Sequence, residues 1–359
     1  MKLMMVARRY APDVLSGTET VFRELYNRAR LENEVRLVVG YVQDRSMVPP
    51  EAVAVDLRGL SKPKAWAKML AASLREERRF KPDVVLGNSI EVATLRSPLA
   101  CIVHDLNFGS AKPSRGAKAR EAFYRFRARQ MHAVITVSES SRVAMESHKI
   151  VPRAFHVIHN GVDLQCFQPS TEVEASGDDS IIRFSYPSRI LPGKGQHLAV
   201  DAISRLPHAE KSRAHLTIVG AASDAAFTEQ LKGQIQGQPV EILTNVPEMA
   251  PYYQAADVVL FPTLLEEGFG YTAIEAMSCG KPVIYFDQPA VREAMGGIGV
   301  AVPQGDVEAL RDAMVELMND PEYRRELGEK GRKFVEGRYG WARVWSRYQE
   351  VLGRLVERY

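Results

Sequence analysis

Two carboxylates lie eight positions apart around a glycine-containing turn, in the segment Glu267-Gly268-Phe269-Gly270-Tyr271-Thr272-Ala273-Ile274-Glu275. The apolar run 257–262 before them predicts a buried parallel strand, and residues 272–280 predict the helix that follows. The start of such a helix presents free backbone N–H groups and the positive end of the helix dipole, which together favour an anion. Carboxylates that flank an anion site would repel a phosphate that touched them, so they are better suited to accept hydrogen bonds from neutral hydroxyls. The pattern therefore indicates a nucleotide sugar, with plain solvation of both glutamates as the alternative.

A second loop carries two cations five residues apart, in the segment Ser188-Arg189-Ile190-Leu191-Pro192-Gly193-Lys194-Gly195. It follows a strand-like run at 181–186 and precedes a predicted helix at 196–205. A glycine-flexed loop of this kind can hold a diphosphate, with Arg189 as a planar fork and Lys194 as a point charge. Basic glycine loops are common on surfaces, but together with the spaced glutamates this one completes a site for a nucleotide-diphosphate sugar.

The order and spacing of these motifs resemble those of the family 4 retaining glycosyltransferases of the two-Rossmann-domain (GT-B) type. The resemblance covers nearly the whole chain. Besides the two loops above, it is carried by Gly17-Thr18-Glu19, His104-Asp105, Ile158-His159-Asn160-Gly161-Val162-Asp163 and Cys279-Gly280-Lys281-Pro282-Val283-Ile284.

Strand-like runs of branched apolar residues alternate with helical patterns in both halves, which predicts parallel sheets covered by helices. The resemblance implies an α/β GT-B fold in which two Rossmann-like domains face each other across a cleft. We expect an N-terminal acceptor domain at 1–167 and a C-terminal donor domain at 168–340. The amphipathic segment 341–359 is expected to cross back to the N-terminal domain as a helix. The polar stretch 168–180 predicts the interdomain linker.

The resemblance also assigns roles to the donor loops. Glu275 is expected to hold the ribose hydroxyls, and Glu267 with the backbone N–H groups of Gly268, Phe269 and Gly270 to hold the transferred sugar and the phosphates. Thr272, at the start of the helix, joins this donor-binding set. Arg189 and Lys194 are expected to neutralise the departing diphosphate, which is electrostatic stabilisation of charge that grows in the transition state. No metal and no cofactor are expected. The Asp178-Asp179 pair lies in the linker and lacks a third ligand.

Two residues of the first half complete the predicted site. Gly17 opens a helix after the first strand, where a glycine lets the donor diphosphate approach backbone N–H groups. Helix capping by Thr18 is the simpler explanation and can hold at the same time. His104 ends a strand, and by resemblance it hydrogen-bonds the transferred sugar. A core or surface role is the alternative for an isolated histidine.

Retention of configuration has two possible routes. Either the acceptor oxygen attacks the sugar from the same face from which the leaving group departs, or the reaction passes through a covalent intermediate. Glu267 is the candidate nucleophile, but its place in the sugar-binding loop favours hydrogen bonding. We therefore expect a front-face reaction through a short-lived oxocarbenium ion, with the leaving phosphate as the base.

The composition is that of a globular protein, with 45% apolar and 25% charged residues and a net charge of +3. Residues 1–7 predict a first buried strand rather than a signal peptide, and the few cysteines indicate a reducing cytoplasm. The first half is basic and the second acidic. Lys112–Arg129 combines cations with Phe123, Tyr124 and Phe126, which fits an anionic membrane surface or a phosphorylated acceptor as well as a plain solvated helix. No nucleic-acid-binding module is recognised.

These observations predict a retaining hexosyltransferase that uses a UDP- or GDP-linked sugar and a hydroxyl acceptor, anionic or lipid-linked, in bacterial glycan, lipopolysaccharide or glycolipid synthesis. It would be cytoplasmic, with peripheral contact to the membrane. A nucleotide-sugar epimerase of the same fold and a non-catalytic glycosyltransferase-like partner subunit are the alternatives. A phosphorylase would need a buried lysine for pyridoxal phosphate, and no such context is evident.

Overall fold

The structure is a computed structural model of the 359-residue chain. It describes residues 1–12, 17–104, 115–170 and 180–359, except for the side chains of residues 115–117. Most of the predicted linker, including Asp178-Asp179, and also Asp105, lies outside the described residues. Within them, no helix is both long and apolar enough to cross a membrane.

The chain divides into two compact units. The first holds Met1–Gly161 together with Trp341–Tyr359, and the second holds Val162–Gly340. The division comes earlier than the expected boundary after residue 167, because the intervening residues pack within the second unit. The Val162 N–H donates to the carbonyl of Tyr339 at 2.8 Å, and the Phe167 ring meets Tyr253 edge-on.

Within the described residues the first unit contains a seven-stranded sheet in which every pair of neighbours is parallel, in the order β3-β2-β1-β4-β5-β6-β7. Its strands are β1 (Lys2–Ala7), β2 (Glu34–Tyr41), β3 (Val53–Asp56), β4 (Val84–Gly87), β5 (Leu99–Val103), β6 (Ala133–Thr136) and β7 (Phe155–Val157). Its helices in this part of the chain are α1 (Gly17–Glu32), α2 (Lys62–Phe80), α3 (Arg115–Ala128) and α4 (Glu139–Ser147), with a 3-10 turn at Arg45–Met47.

The second unit repeats this plan with a six-stranded parallel sheet over the residues described, in the order β10-β9-β8-β11-β12-β13. Its strands are β8 (Ile182–Pro187), β9 (Ala214–Gly220), β10 (Val240–Thr244), β11 (Val258–Phe261), β12 (Val283–Phe286) and β13 (Val300–Val302). Its helices are α5 (Gln196–Ser204), α6 (His208–Lys211), α7 (Ala225–Gln234), α8 (Ala250–Gln254), α9 (Tyr271–Ser278), α10 (Pro289–Met295), α11 (Val307–Asn319) and α12 (Pro321–Glu336), with a 3-10 turn at Pro192–Lys194.

The last helix, α13 (Trp341–Arg358), packs on the first unit. Its apolar face is buried along its whole length, through Trp341, Val344, Trp345, Tyr348, Val351, Leu352 and Leu355. The guanidinium of Arg28 on α1 lies 5.0 Å from the centroid of the Trp341 ring. The prediction of two parallel α/β domains with a C-terminal helix returning to the first is confirmed.

Both sheets reverse their strand order beside the first strand of the unit. In the first unit β1 lies between β2 and β4, and in the second β8 lies between β9 and β11. Loops that leave the carboxyl ends of the two strands at such a point go to opposite faces of the sheet and open a crevice, where open α/β sheets bind their ligands. In the second unit these two loops carry Arg189 with Lys194, and Glu267.

Candidate functional site

The loops after β8 and β11 are joined by their backbones. The carbonyl of Gly193 accepts hydrogen bonds from the N–H groups of Leu264 and Leu265, at 2.9 and 3.0 Å. Gly195 has a φ of +78°, and a Cβ at this position would lie 2.0 Å from the carbonyl oxygen of Pro262. The close approach of the two loops therefore depends on a glycine at position 195.

This approach brings Lys194 and Glu267 into direct contact. The Lys194 Nζ lies 2.6 Å from Glu267 Oε1, and the two side chains are only 12% and 16% exposed. The same carboxylate oxygen accepts from the hydroxyl of Thr263 at 2.9 Å. The sequence analysis predicted that both residues contact the donor, but it did not predict that they form an ion pair with each other.

Gln288 holds the Glu267 loop and was missed by the sequence analysis. Its Oε1 accepts from the Glu267 N–H at 3.2 Å, while its Nε2 donates to the carbonyl of Thr263 at 2.8 Å. The side chain is 6% exposed and belongs to the residue that precedes α10, at the carboxyl end of the neighbouring strand β12. Its position after a buried strand could have indicated a site residue, but an uncharged amide does not stand out in a sequence as a charged residue does.

The start of α9 is shaped by Gly270, which has a φ of +88°. The Phe269 side chain is 3% exposed and packs edge-on against Tyr271 and Tyr339, with ring centroids 5.4 Å apart in each case. The Thr272 hydroxyl donates to the carbonyl of Pro187 at 2.9 Å, which ties the helix to the end of β8. The side chains of Phe269 and Thr272 thus build the turn. A donor role for Gly268, Phe269, Gly270 and Thr272 stays a prediction.

Glu275 lies on α9 and is half-buried. Its Oε2 accepts a hydrogen bond from the hydroxyl of Tyr253 at 2.6 Å. Burial raises the pKa of Glu275 to about 7, although the hydrogen bond from Tyr253 opposes that shift. A carboxyl group with this pKa is close to half ionised at neutral pH.

Arg189 is exposed, in contrast to the partly buried Lys194. Its backbone carbonyl accepts from Gln196 Nε2 at 2.9 Å, and the same amide donates to the Ser188 hydroxyl at 2.9 Å. Gln196 is fully buried at the start of α5. This amide therefore fixes the backbone of the cationic loop and leaves the Arg189 side chain in solvent.

In the first unit, His104 follows β5 and contacts Asn88, which follows β4. The His104 Nε2 lies 2.8 Å from Asn88 Oδ1. Desolvation lowers the pKa of His104 to about 4, so its imidazole is neutral at physiological pH. Both residues line a cavity of about 140 Å³ together with Thr18 and Tyr124. Asn88 is a second residue that the sequence analysis missed.

Gly17 is the first residue of α1 and is exposed. The residues before it, 13–16, lie outside the described part of the chain, so the loop that it was expected to form with them is not described. Its proposed approach to the donor diphosphate stays a prediction.

The basic segment divides between interior and surface. Arg127 on α3 is 9% exposed, and its guanidinium donates to the carbonyl of Val92 and to Gln130, so it adds nothing to a basic surface. Arg125 pairs with Glu121, while the Phe126 ring is 60% exposed. Lys112 lies outside the described residues, and contact with a membrane stays a prediction.

Two family models match the chain. The model described as Glycosyltransferase Family 4 matches residues 15–165, and the model described as Glycosyl transferases group 1 matches residues 182–320. The chain belongs to the GT-B glycosyltransferases of family 4.

Curated relatives of this family 4 chain are similar at moderate identity. A GDP-mannose-dependent monoacylated alpha-(1-6)-phosphatidylinositol monomannoside mannosyltransferase from Corynebacterium glutamicum is 28% identical over 214 residues, which are 55% of this chain and 56% of that protein. An MMP alpha-(1->4)-mannosyltransferase from Mycolicibacterium hassiacum is 27% identical over 326 residues, which are 84% of this chain and 77% of that protein. The match thus spans little more than half of the first relative.

The fold of the family 4 chain is also seen in solved structures. The crystal structure of Anabaena Alr3699/HepE in complex with UDP-glucose aligns with a TM-score of 0.80 at 19% identity, over 99% of this chain and 100% of that one. At this identity the likeness establishes the shared architecture.

Proposed function

We propose that the protein is a retaining hexosyltransferase that takes its sugar from a nucleotide-diphosphate donor bound to the second unit. The observation that carries this proposal is the contact of Lys194 with Glu267 on two loops at the switch point of the sheet. A cation for a phosphate and a carboxylate for sugar hydroxyls stand side by side there. Glu275 on the adjoining helix adds a second carboxylate suited to the ribose diol.

The donor loops divide the work of binding. Lys194 and Arg189 neutralise the diphosphate, and the backbone N–H groups at the start of α9 add the favourable end of a helix dipole. Glu267 exchanges part of its contact with Lys194 for a hydroxyl of the sugar. UDP and GDP are both candidate nucleotides, because the Anabaena structure holds UDP-glucose and the Corynebacterium relative is named as GDP-mannose-dependent.

In the proposed reaction the bond between the anomeric carbon and the diphosphate oxygen breaks, and the electron pair stays on the diphosphate. The acceptor oxygen attacks the anomeric carbon from the same face, and its proton passes to the leaving diphosphate. Lys194 and Arg189 stabilise the negative charge that grows on that leaving group. This stabilisation supports a reaction without a divalent metal. His104 and Gly17 are retained as predicted participants, His104 as a neutral imidazole.

We propose further that the acceptor is a hydroxyl compound that is anionic or lipid-linked, and that the protein works in the cytoplasm beside the membrane. The excess of basic residues in the first half supports this assignment. Glycan, lipopolysaccharide or glycolipid synthesis in bacteria is the corresponding setting.

The first test is thermal stabilisation of the purified full-length chain by UDP, GDP and their glucose and mannose derivatives. A ligand of the native state raises the melting temperature in proportion to the logarithm of its concentration. Glu267→Gln should abolish the preference for the sugar nucleotide over the bare nucleotide, whereas Glu266→Gln, at the exposed neighbouring position, should keep it. If none of these compounds stabilises the protein, the proposed donor site is wrong.

The second test is transfer itself. The purified chain is incubated with the stabilising donor and a panel of hydroxyl acceptors, and the anomeric configuration of the product is read by NMR. Retention is expected. A product of inverted configuration, or a covalent sugar adduct on Glu267, would contradict the front-face reaction. Release of free sugar without any transfer would favour a hydrolase, and no reaction at all a non-catalytic subunit.

A further inference from the structure

Tyr253 connects Glu275 with a segment to which the proposed function gives no role, Asp163–Gln168. The Tyr253 side chain, on α8, is 1% exposed, and its hydroxyl lies 2.6 Å from Glu275 Oε2. A buried hydroxyl so close to a carboxylate donates a charge-assisted hydrogen bond, which fixes the orientation of the carboxylate as well as its charge.

The ring of Tyr253 is itself held in place by this segment. The Phe167 ring meets it edge-on, with centroids 5.6 Å apart and planes at 83°. The carbonyl of Phe167 accepts from Arg332 Nη1 at 2.9 Å, and Gln254, the residue after Tyr253, donates to the carbonyl of Gln168 at 3.0 Å. Tyr253 is thus fixed by the segment Asp163–Gln168 on one side and hydrogen-bonded to Glu275 on the other.

We propose that Tyr253 is a positioning residue for the donor. Its hydroxyl holds one oxygen of the Glu275 carboxylate so that the other faces the ribose diol of the nucleotide sugar. The inference rests on the proposed function, because it takes Glu275 to be the group that receives the ribose.

Tyr253 also acts on the ionisation of Glu275. Burial raises the pKa of the carboxyl group to about 7, and the hydrogen bond from Tyr253 favours the charged form. The other titratable groups coupled to Glu275 in the described chain are the thiols of Cys166 and Cys279, and the pKa of each is raised. Lys281 and, from α12, Arg332 act on Cys279. Burial raises the pKa of both thiols, which separates their titration from that of Glu275 near pH 7.

The ribose hydroxyls donate hydrogen bonds to the carboxylate, so the donor binds the ionised form of Glu275 better. In the wild type, affinity should therefore rise with pH through about pH 7 and level off above it. Tyr253→Phe removes the hydrogen bond to the charged form, which raises the pKa of Glu275 and moves the rise upward. A roughly tenfold smaller ionisation constant of Glu275 raises its pKa, and shifts the rise in affinity, by about one pH unit.

The experiment measures the dissociation constant of UDP-glucose or GDP-mannose, whichever stabilises the full-length chain, by calorimetry from pH 6 to pH 9. The phosphates of these diesters do not titrate in that range. For Tyr253→Phe we expect weaker binding at every pH, because the carboxylate is no longer oriented, and a loss about fivefold larger at pH 7 than at pH 9, because less of Glu275 is ionised at pH 7. Tyr252→Phe, at the half-buried neighbouring position on α8, should match the wild type. Glu275→Gln should show weaker binding with no rise near pH 7.

The outcomes separate the two proposals. Affinity in Tyr253→Phe equal to that of the wild type at every pH would overturn the positioning role while leaving the donor site in place. An equal loss at every pH would support the orienting role and contradict the effect of Tyr253 on the ionisation of Glu275. A wild type that binds neither nucleotide sugar would overturn the proposed function itself. Melting curves of each variant without ligand establish that it is folded at the pH of the measurement.

Discussion

The ion pair between Lys194 and Glu267 leads to the sharpest prediction. Lys194→Met keeps most of the length of the side chain and removes its charge, which leaves a carboxylate that is only 16% exposed without its cation. The Thr263 hydroxyl remains as a donor to the same oxygen. Breaking a pair this far from solvent costs roughly 3 kcal/mol, mainly because the remaining charge is poorly hydrated.

The matched control is Lys232→Met. Lys232 pairs with Glu229 in the same unit at 2.7 Å, almost the same distance, but the two side chains are 50% and 72% exposed. An exposed pair of this kind contributes under about 0.5 kcal/mol. Urea denaturation followed by fluorescence should therefore show a large loss of stability for Lys194→Met and almost none for Lys232→Met.

The double variant Lys194→Met/Glu267→Gln distinguishes charge from packing. Removing the unpaired carboxylate should restore most of the lost stability, since neither remaining group is charged. Affinity for the nucleotide sugar should not recover, because the proposed contacts to the diphosphate and to the sugar are both gone. Equal losses for Lys194→Met and Lys232→Met, or a double variant less stable than Lys194→Met alone, would refute the reasoning about this pair.

Three further predictions concern the residues that shape the site. Gly195→Ala should destabilise the protein by more than the roughly 1–2 kcal/mol of a left-handed alanine, whereas Gly237→Ala, with a φ of +71° and open space around it, should cost only that strain; urea denaturation compares them. Gln288→Ala should cost about 1–3 kcal/mol, read from its melting curve, by leaving the Glu267 N–H and the buried Thr263 carbonyl without their partner. Gln288→Glu should restore the bond to the N–H alone. His104 has a folded pKa of about 4, below its unfolded value, so stability should fall as pH drops from about 6.5 to 4, and His104→Asn should lessen that fall in acid titrations.

The elements that carry the site were predictable because their signal is local. Of the two strands that lead into the proposed donor loops, β11 is a short, continuous apolar run, and β8 alternates apolar residues with Arg183 and Ser185. The first glycines and charges after each strand mark the edge of the sheet. Arg189, Lys194 and Glu267 were found in this way, as charged residues at strand ends. The starts of helices α11 and α12 are equally local, since each begins at an Asp cap and the second has proline at its first position.

The contacts between these elements were not predictable from the same patterns. Lys194 and Glu267 are separated by 73 residues, and the sequence of neither loop predicts that their side chains are in contact. Gln288, Asn88 and Tyr253 act through uncharged groups on residues that elsewhere serve as ordinary surface or core. Their roles depend on which strand ends are neighbours, which is a property of the sheet order.

A run of basic residues does not by itself show which of its side chains are exposed. Arg127 sits in a basic segment that favours a solvated or membrane-facing surface, yet its side chain is buried. Its guanidinium reaches the carbonyl of Val92, 35 residues earlier, and that partner compensates for the loss of hydration. Burial lowers the pKa of Arg127. Because the ordinary pKa of an arginine is very high, the group still keeps its charge. Composition could not distinguish this arginine from its exposed neighbours.

The two cations of the proposed donor site differ in what they can do before a ligand arrives. Lys194 is already compensated by Glu267, so its field beyond the loop is weak, and it acts on a phosphate only at close range. Arg189 is exposed and its field extends into solvent, where salt screens it within about 10 Å at ordinary ionic strength. Under the proposed function, the exposed cation would attract the diphosphate, and the paired one would stabilise the charge that develops as the bond to the sugar breaks. A free phosphate offers Glu267 no hydroxyl in exchange for Lys194, so the proposal predicts that the ion pair favours the sugar nucleotide over free phosphate.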